Sequence, residues 1–406
     1  MNLFIERFKE EILLFIILST ISFCTLSYEY SKYKDFTSSN FLRINAKVLS
    51  LYKKEEATVL KLRYSSFDFY TKTTNLNLEV DNLVNITVIT KDKSFYEFLS
   101  SMYLNSLNIS VINTKKEYLS SLINKQHKNS DISEIFSALF LAKSMNKELK
   151  LKFSSFGISH LIAISGFHLG VLSFVLYWLF YIFYAPIHQK FFPYRNRRFD
   201  ILLFVVVILF FYLLLTNIVP SLLRAFVMLV LGLYLLRSRI KILSFNTLLI
   251  TFLFIIALFP RYIFSLGLWF SIFGVFYIFL FLQYFKTYNK VFVFFFFNIW
   301  IYLALNPIIH YFFALSSYEQ LLSPVLTLLF SLFYPFELLL HLINYGSFLD
   351  SFIELFLSYK VNTFDVFTPL WFFIIYLVIS IGAVFDKRAF ISLNALLVGF
   401  NIYIFI

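Results

Sequence analysis

From residue 153 to its end the chain consists of long apolar runs separated by short polar segments. A helix needs about 20 consecutive apolar residues to cross a bilayer, so this pattern predicts a polytopic α-helical membrane protein. The predicted spans are 153–184, 199–217, 220–236, 245–259, 263–284, 291–313, 321–345, 366–385 and 389–406. An earlier apolar run, 12–26, predicts an uncleaved anchor helix within residues 1–30.

Residues 31–152 have the mixed composition of a soluble domain and predict short strands followed by helices. The segments in which apolar and polar residues alternate are 42–49, 58–64, 75–80 and 83–90. Such alternation is typical of half-buried strands, and several short strands in so few residues suit a small barrel. Helical periodicity follows at 94–107 and 131–149.

Basic residues occupy alternate positions on two of the predicted strands, Arg43 and Lys47 on the first and Lys61 and Arg63 on the second. The aromatic residues that adjoin them are Tyr64, Phe67, Phe69 and Tyr70. A barrel that binds single-stranded nucleic acid needs cations that follow the phosphates and rings that stack on the bases. A plain solvated sheet face is the alternative that the residues leave open.

The composition agrees with a membrane protein, because 60% of the residues are hydrophobic and only 14% are charged. In a soluble domain about 45–50% of the residues are hydrophobic and about 25% are charged. The net charge of +12 predicts affinity for anions, either anionic lipid headgroups or nucleic acid. The single cysteine, Cys24, excludes a disulfide within the chain.

Positive charge in the short loops predicts the orientation in the cytoplasmic (inner) membrane. The loops at 188–198 and 237–241 are strongly basic and are expected in the cytoplasm, whereas 216–220 and 316–320 carry almost no charge. This alternation places residues 31–152 outside the membrane.

One basic loop conflicts with the simple count of spans. The run Asp386-Lys387-Arg388 is basic and is therefore expected in the cytoplasm. If the segment 321–345 crosses the membrane once, however, the count of spans places this run outside. A re-entrant hairpin turned at Pro335 restores the count, which gives residues 153–406 about eight or nine membrane segments. Irregular backbone of this kind is tolerated at membrane depth only against protein or a water-filled cavity.

The first span in residues 153–406 contains an unusual set of polar residues for a membrane helix. They are Ser159, His160, Ser165, Gly166 and His168. On a continuous helix His160 and His168 lie about 80° apart, so one face of the span is polar. Such groups face a protein interior or a water-filled path; a helix–helix seam is the alternative.

The run G-I-S-H-L-I-A-I-S-G-F-H at 157–168 resembles the signature of the ComEC family, the inner-membrane channel of natural competence. Weaker similarity follows at 219–225 (VPSLLRA) and 264–272 (FSLGLWFSI), and Asn306-Pro307 stands where a later polar break is expected. The resemblance implies that residues 153–406 form a channel through which single-stranded DNA crosses the membrane, and that residues 31–152, between the first two spans, form an OB-like domain. The residues expected along the DNA path are Ser159, His160, Ser165, Gly166, His168, Ser221, Arg224, Ser271 and Asn306.

The same resemblance predicts the partners of the chain. Larger members of the family carry a C-terminal metallo-β-lactamase-like domain, and because this chain stops at Ile406 we expect a short form, with strand degradation left to a separate nuclease. A periplasmic protein is expected to deliver the strand.

No phosphate-binding G-x-x-x-x-G-K-[ST] loop and no metal-ligand spacing occurs in the sequence, so no cofactor, metal or catalytic residue is predicted. Moving each nucleotide charge inward against a negative interior costs about 2.3 kcal/mol per 100 mV. A cytoplasmic motor or single-strand-binding protein is therefore expected to pull the strand.

Other functions stay open at this point. The composition equally suits a transporter of small molecules or lipid-linked substrates. An intramembrane serine protease would use Ser165 in the run A-I-S-G with His310 or His341 as its base. Arg224 has two interpretations, a side chain that extends outward to the headgroups or a guanidinium that binds phosphate bidentately.

Overall fold

The computed structural model describes residues 2–53, 58–65, 67–73, 78, 82–113, 118–235 and 244–405. The chain is mostly helical and divides into two compact units. Unit 1 consists of 1–122, 143–146 and 249–269, and unit 2 of 123–142, 147–248 and 270–406.

Unit 1 begins with a long helix, α1 (Asn2–Thr37), which contains the apolar run of the predicted anchor. A six-stranded sheet follows, in the order β5-β3-β2-β1-β4-β6. The strands are β1 (Phe41–Lys53), β2 (Thr58–Tyr64), β3 (Phe67–Thr73), β4 (Leu83–Ile89), β5 (Met102–Tyr103) and β6 (Ser106–Asn113), with helix α2 (Phe95–Leu99) between β4 and β5. All pairs are antiparallel except β3 with β5.

The two edge strands of the sheet follow each other in the chain, so the sheet closes on itself. Strands β5 and β6 end the strand order at opposite sides, yet only Leu104 and Asn105 separate them in the chain. The Leu104 N–H donates to the Tyr70 carbonyl of β3 at 2.8 Å, and the Asn105 carbonyl accepts from the Ile89 N–H of β4 at 2.9 Å. The strands therefore surround a common core, to which alternate residues of β1 to β4 contribute.

Three of the four predicted strands are confirmed, and the predicted strand at 75–80 lies, except for Leu78, outside the described residues. The predicted helix at 94–107 is wrong beyond Leu99, where β5 and β6 follow. The residues of β6, SLNISVIN, alternate polar and apolar side chains and include β-branched ones, which favours a strand. The sequence pattern did not predict β3.

Unit 2 is helical. From the segment shared with unit 1 onward the helices are α3 (Tyr118–Gln126), α4 (Ser130–Leu141), α5 (Lys147–Ser155), α6 (Ser159–Ile162), α7 (Gly166–Phe191), α8 (Arg197–Leu215), α9 (Pro220–Leu235), α10 (Phe245–Leu258), α11 (Leu266–Phe285), α12 (Lys290–Phe312), α13 (Ser323–Leu342), α14 (Asp350–Ser358), α15 (Leu370–Gly382) and α16 (Lys387–Phe405). In the described part of the chain six helical segments are long and apolar enough to cross a membrane: 166–191, 197–215, 266–285, 290–312, 318–342 and 387–405. The chain is a multi-pass membrane protein.

Helix α13 continues through Pro335, so the predicted turn at that proline is wrong. A hairpin is nevertheless present: α14 follows α13, and the chain returns so that β8 (Phe364–Asp365) pairs with β7 (Leu315–Ser316). Because β7 follows α12 and β8 precedes α15, the end of α12 and the start of α15 lie side by side.

Candidate functional site

The polar residues predicted in the first span lie where the helix is interrupted. Gly157 has φ +66, the Ile158 N–H donates to the Phe153 carbonyl at 3.0 Å, and the Gly157 N–H donates to Ser154 at 2.9 Å. These two bonds and a left-handed glycine end α5 in a Schellman motif. The prediction of one continuous helix over 153–184 is therefore wrong, and His160 and His168 do not share a helical face.

Side chains that the sequence did not single out hold this interruption in place. The side chains of Ser317, Gln320 and Ser323 donate to the carbonyls of Ser155, Ser154 and Gly157, at 2.5, 3.1 and 3.0 Å respectively. The carbonyls at a helix end have no partner within the helix and need one from elsewhere. The run of hydroxyl and amide residues at 316–323, a segment whose only charged residue is Glu319, was the signal for this role.

Helix α7 begins at the motif itself. Ser165 is its N-cap: the Ser165 side chain accepts from the Phe167 N–H at 3.2 Å, and the Ser165 N–H donates to Nδ1 of His168 at 3.1 Å. This reciprocal arrangement is a capping box in which histidine takes the position usually held by Glu or Gln. Serine and histidine three residues apart thus fix the start of a membrane helix.

Arg224 of α9 lies beside this helix start and is only 7% exposed. Its Nε donates to the Ser271 hydroxyl of α11 at 2.7 Å, and Nη1 donates to the Met228 sulfur at 3.2 Å. Arg224 forms no ion pair with any carboxylate in the described segments. A buried cation without a counter-charge is costly, so the position favours an anion as ligand.

The first residue of α7 makes this approach possible. A Cβ on Gly166 would lie 3.0 Å from Nη2 of Arg224 and 3.3 Å from Cβ of Ala225. Ser221, at the start of α9, donates its hydroxyl to the Ile164 carbonyl at 2.6 Å and so joins the two helix starts. We call Ser165, Gly166, His168, Ser221, Arg224 and Ser271 the Arg224 cluster.

His168 completes the Arg224 cluster, whereas Ser159 and His160, which were also predicted for the path, lie outside it. His168 is 0% exposed, packs edge to face on Tyr334 of α13 at 4.5 Å, and its Nε2 makes no hydrogen bond with a described group. His160 is exposed, and its Nε2 lies 3.4 Å from the Thr327 hydroxyl, while the Ser159 hydroxyl lies 2.8 Å from that of Ser154.

Asn306 does not join the Arg224 cluster. It is buried in α12 and donates to the Asn401 side chain of α16 at 2.6 Å. Asn401 in turn donates to the Leu303 carbonyl at 3.0 Å, which is the group that Pro307 cannot bond because proline lacks an N–H. The side chain of Asn401, on the last helix, thus forms the hydrogen bonds that the polar break at Asn306-Pro307 needs.

In unit 1 the four basic residues lie on the outer face of the sheet, but two have an acidic partner. Arg63 bonds Asp68 of β3 at 2.7 and 3.2 Å, and Nζ of Lys61 lies 3.1 Å from the same carboxylate. Burial of Asp68 opposes its charge, but these two cations outweigh burial and lower the pKa of its carboxyl group. Arg43 donates to the Asn85 side chain.

The predicted set of stacking rings is only partly correct. Phe67 and Phe69 point into the core and Phe69 is 0% exposed, because alternate residues of β3 face inward. Tyr70 lies on the outer face, with its ring centre 6.0 Å from Nζ of Lys61. Of the predicted rings on β3, Tyr70 alone is placed to meet a base.

The geometry bears on the protease alternative as well. The Ser165 hydroxyl lies 3.1 Å from Nδ1 of His168, a distance suited to a nucleophile and its base. That nitrogen also accepts the Ser165 N–H, as the capping box requires. His341, one of the two histidines named for this role, bonds the Glu337 carbonyl and the His127 ring.

Comparison with known proteins gives one family. A family model described as Competence protein matches residues 141–389 of the 406, a range that contains the interruption at 156–165 and the whole Arg224 cluster. No curated protein and no solved structure matches the chain.

Proposed function

Because this chain belongs to the competence protein family, we propose that it is the channel through which single-stranded DNA crosses the cytoplasmic membrane in natural transformation. The family takes part in DNA uptake, and the chain is a multi-pass membrane protein. The family resemblance seen at 157–168 is confirmed. What the proposal adds is the substrate, one strand of DNA, and its route past the Arg224 cluster.

The observation that supports this route most strongly is the buried guanidinium of Arg224, which has no carboxylate partner among the described residues. A guanidinium binds phosphate bidentately through a planar fork of N–H groups. The start of α7 beside it adds the positive end of a helix dipole. Backbone phosphates are the same for every base, so a single site of this kind accepts any sequence of DNA.

The proposed orientation has the N-terminus inside, residues 31–152 outside, and the loop at 185–198 inside. The pairing of β7 with β8 supports it, because the start of α15 then lies at the outer end of α12 and Asp386-Lys387-Arg388 returns to the cytoplasm. The basic loop at 237–241 lies outside the described residues. The domain limits 1–30, 31–152 and 153–406 stay predictions.

For the sheet of unit 1 we propose an OB-like barrel that binds the strand outside the membrane. Its support is the closure through Leu104 and Asn105 and the position of Arg43 and Lys47 on the outer face of β1. Register places Lys47 opposite Arg63, which brings positive charge together on neighbouring strands. Tyr70 supplies a ring beside this charge.

The channel itself would not drive uptake. Since no nucleotide-binding loop occurs in the given sequence, the proposal includes a cytoplasmic motor or single-strand-binding protein that pulls the strand, and a periplasmic protein that delivers it. Membrane lipid surrounds the six long helices.

Binding of labelled single-stranded DNA to the full chain in lipid nanodiscs tests the proposal. We expect affinity that falls steeply with salt, and a loss on the order of tenfold or more in Arg224→Gln, because a charge-assisted bond to phosphate is removed. Arg388→Gln, which removes a charge at the start of α16, is the control and should bind as the parent does. Salt-insensitive binding, or equal affinity in Arg224→Gln, would contradict the proposal and favour a transporter of small molecules.

A further inference from the structure

Four ionisable side chains form a row where the loop between α3 and α4 meets α13 and α14. Nδ1 of His127 lies 2.8 Å from a carboxylate oxygen of Asp350, and Nε2 of His127 lies 3.0 Å from Nε2 of His341. Nδ1 of His341 lies 2.8 Å from the Glu337 carbonyl and 3.3 Å from Oε2 of the same residue. The three short distances are those of hydrogen bonds.

The row leads from the surface to the interior. The side chain of Asp350 is 16% exposed, whereas those of His127 and Glu337 are fully buried. Neither carboxylate oxygen of Glu337 makes a hydrogen bond with a described group. Buried ionisable groups inside membrane segments commonly serve as proton relays, and Glu337 lies within the membrane-length segment 318–342.

The surroundings of the row are otherwise apolar. Helix α4 contributes the ring of Phe136, stacked on His127 at 4.8 Å, and Phe136 and Phe140 both pack on His341. The charged and titratable groups that face His127 are Asp350 from α14 and Glu337 and His341 from α13. No lysine or arginine is among them.

A count of protons follows from these contacts. The Glu337 carbonyl can only accept, so Nδ1 of His341 carries a proton, and a neutral His341 then accepts at Nε2 from His127. His127 therefore donates at Nε2, yet its Nδ1 faces a carboxylate at 2.8 Å and needs a proton there as well. The row thus binds one proton more than two neutral imidazoles supply.

We propose that Asp350, His127, His341 and Glu337 form a proton-binding relay that carries a proton between solvent at Asp350 and the buried carboxylate of Glu337. It is a second site, and it does not depend on the DNA path. Tyr334 lies one turn before Glu337 and packs on His168, so α13 is common to the relay and the Arg224 cluster.

The transfer balances at each atom. A proton from solvent binds the carboxylate of Asp350, which passes it to Nδ1 of His127, so that Asp350 is again ionised and His127 holds two protons. His127 passes the proton on its Nε2 to Nε2 of His341, and His341 passes the proton on its Nδ1 to Oε2 of Glu337. Each imidazole finishes neutral with its proton on the other nitrogen, and Glu337 finishes as a neutral carboxylic acid.

Infrared spectroscopy of the full chain in lipid nanodiscs tests the relay across the pH range in which histidine titrates. We expect a protonated-carboxyl band that disappears in Glu337→Gln and persists in Glu354→Gln, a control on α14. Exchange of this carboxyl proton with deuterium should slow on the order of a hundredfold in His127→Gln and His341→Gln, since a positioned proton donor contributes about that much. His310→Gln, a buried histidine of α12, should leave the exchange unchanged.

Where a histidine variant fails to accumulate in the membrane, Asp350→Asn tests the same relay from its exposed end and should also slow the exchange. A row with only a structural role would lower thermal stability in these variants without changing the exchange rate. The proposal is overturned by the absence of the band in the parent chain, by its persistence in Glu337→Gln, or by unchanged exchange in folded His127→Gln or Asp350→Asn.

Discussion

Arg224 lies so close to Gly166 that a single added methyl group on Gly166 would be 3.0 Å from Nη2 of the guanidinium. The glycine of the first motif therefore meets the arginine of the second, although 58 positions separate them in the sequence numbering (224 − 166). The contact explains why these two motifs occur together: the first supplies a helix start without a side chain, and the second supplies the charge beside it.

Gly166→Ala should impair DNA uptake, because the new methyl group pushes the guanidinium out of its place by a few tenths of an ångström. Gly170→Ala on the same helix is the matched control, since a Cβ there meets nothing within 4 Å. Transformation frequency, with membrane abundance measured alongside, checks the prediction. Equal uptake by the two variants would show that the close contact is not needed.

Ser165→Ala should retain much of the uptake, because the hydroxyl caps α7 and no bond-breaking step is asked of it. The cost is the loss of one helix cap, about 1 kcal/mol of stability. Ser165→Phe should abolish uptake by placing a large ring at the helix start. A serine protease predicts the reverse order, so a dead but normally abundant Ser165→Ala beside an active Ser165→Phe would refute our account of this residue.

Asp68→Asn should raise the affinity of the full chain for single-stranded DNA, because it releases Lys61 and Arg63 from their ion pairs. Asp92→Asn makes the same change of net charge in an exposed turn and is the control. Titration at several salt concentrations distinguishes the two. If both variants bind alike, the outer face of β2 does not contact the strand.

Cysteine labelling tests the orientation in a Cys24→Ser background. Lys91→Cys, in a turn after β4, should react with a membrane-impermeant reagent from outside, and Tyr194→Cys, in the basic loop before α8, should not. Both side chains are exposed, so burial does not decide the outcome. Labelling of both from the same side would require a different topology.

The sequence predicted the membrane class, most helix positions and the set of residues that meet around Arg224. It could do so because hydrophobic runs and positive loops are local signals that the bilayer imposes. Ser165, Gly166, Ser221, Arg224 and Ser271 were all named from their motifs, and the structure brings them together.

The sequence failed where distant segments decide the local structure. Helix α5 ends at Ser155, just before Gly157, and Gln320 and Ser323 bond the carbonyls of Ser154 and Gly157; no periodicity near 157 shows these partners. Asn306 was assigned to the path for its polarity, but its partner is Asn401, 95 residues later. The row from Asp350 to Glu337 joins three segments and likewise had no local signature.

Separate measurement of DNA in the periplasm and in the cytoplasm tests the central claim most directly, using Arg224→Gln and Arg224→Lys with Arg388→Gln as control. We predict that Arg224→Gln accumulates DNA in the periplasm and admits almost none to the cytoplasm, and that Arg224→Lys, which keeps the charge without the planar fork, lies between it and the parent. Arg388→Gln should behave as the parent does. Normal cytoplasmic uptake by an abundant, membrane-inserted Arg224→Gln would contradict the account.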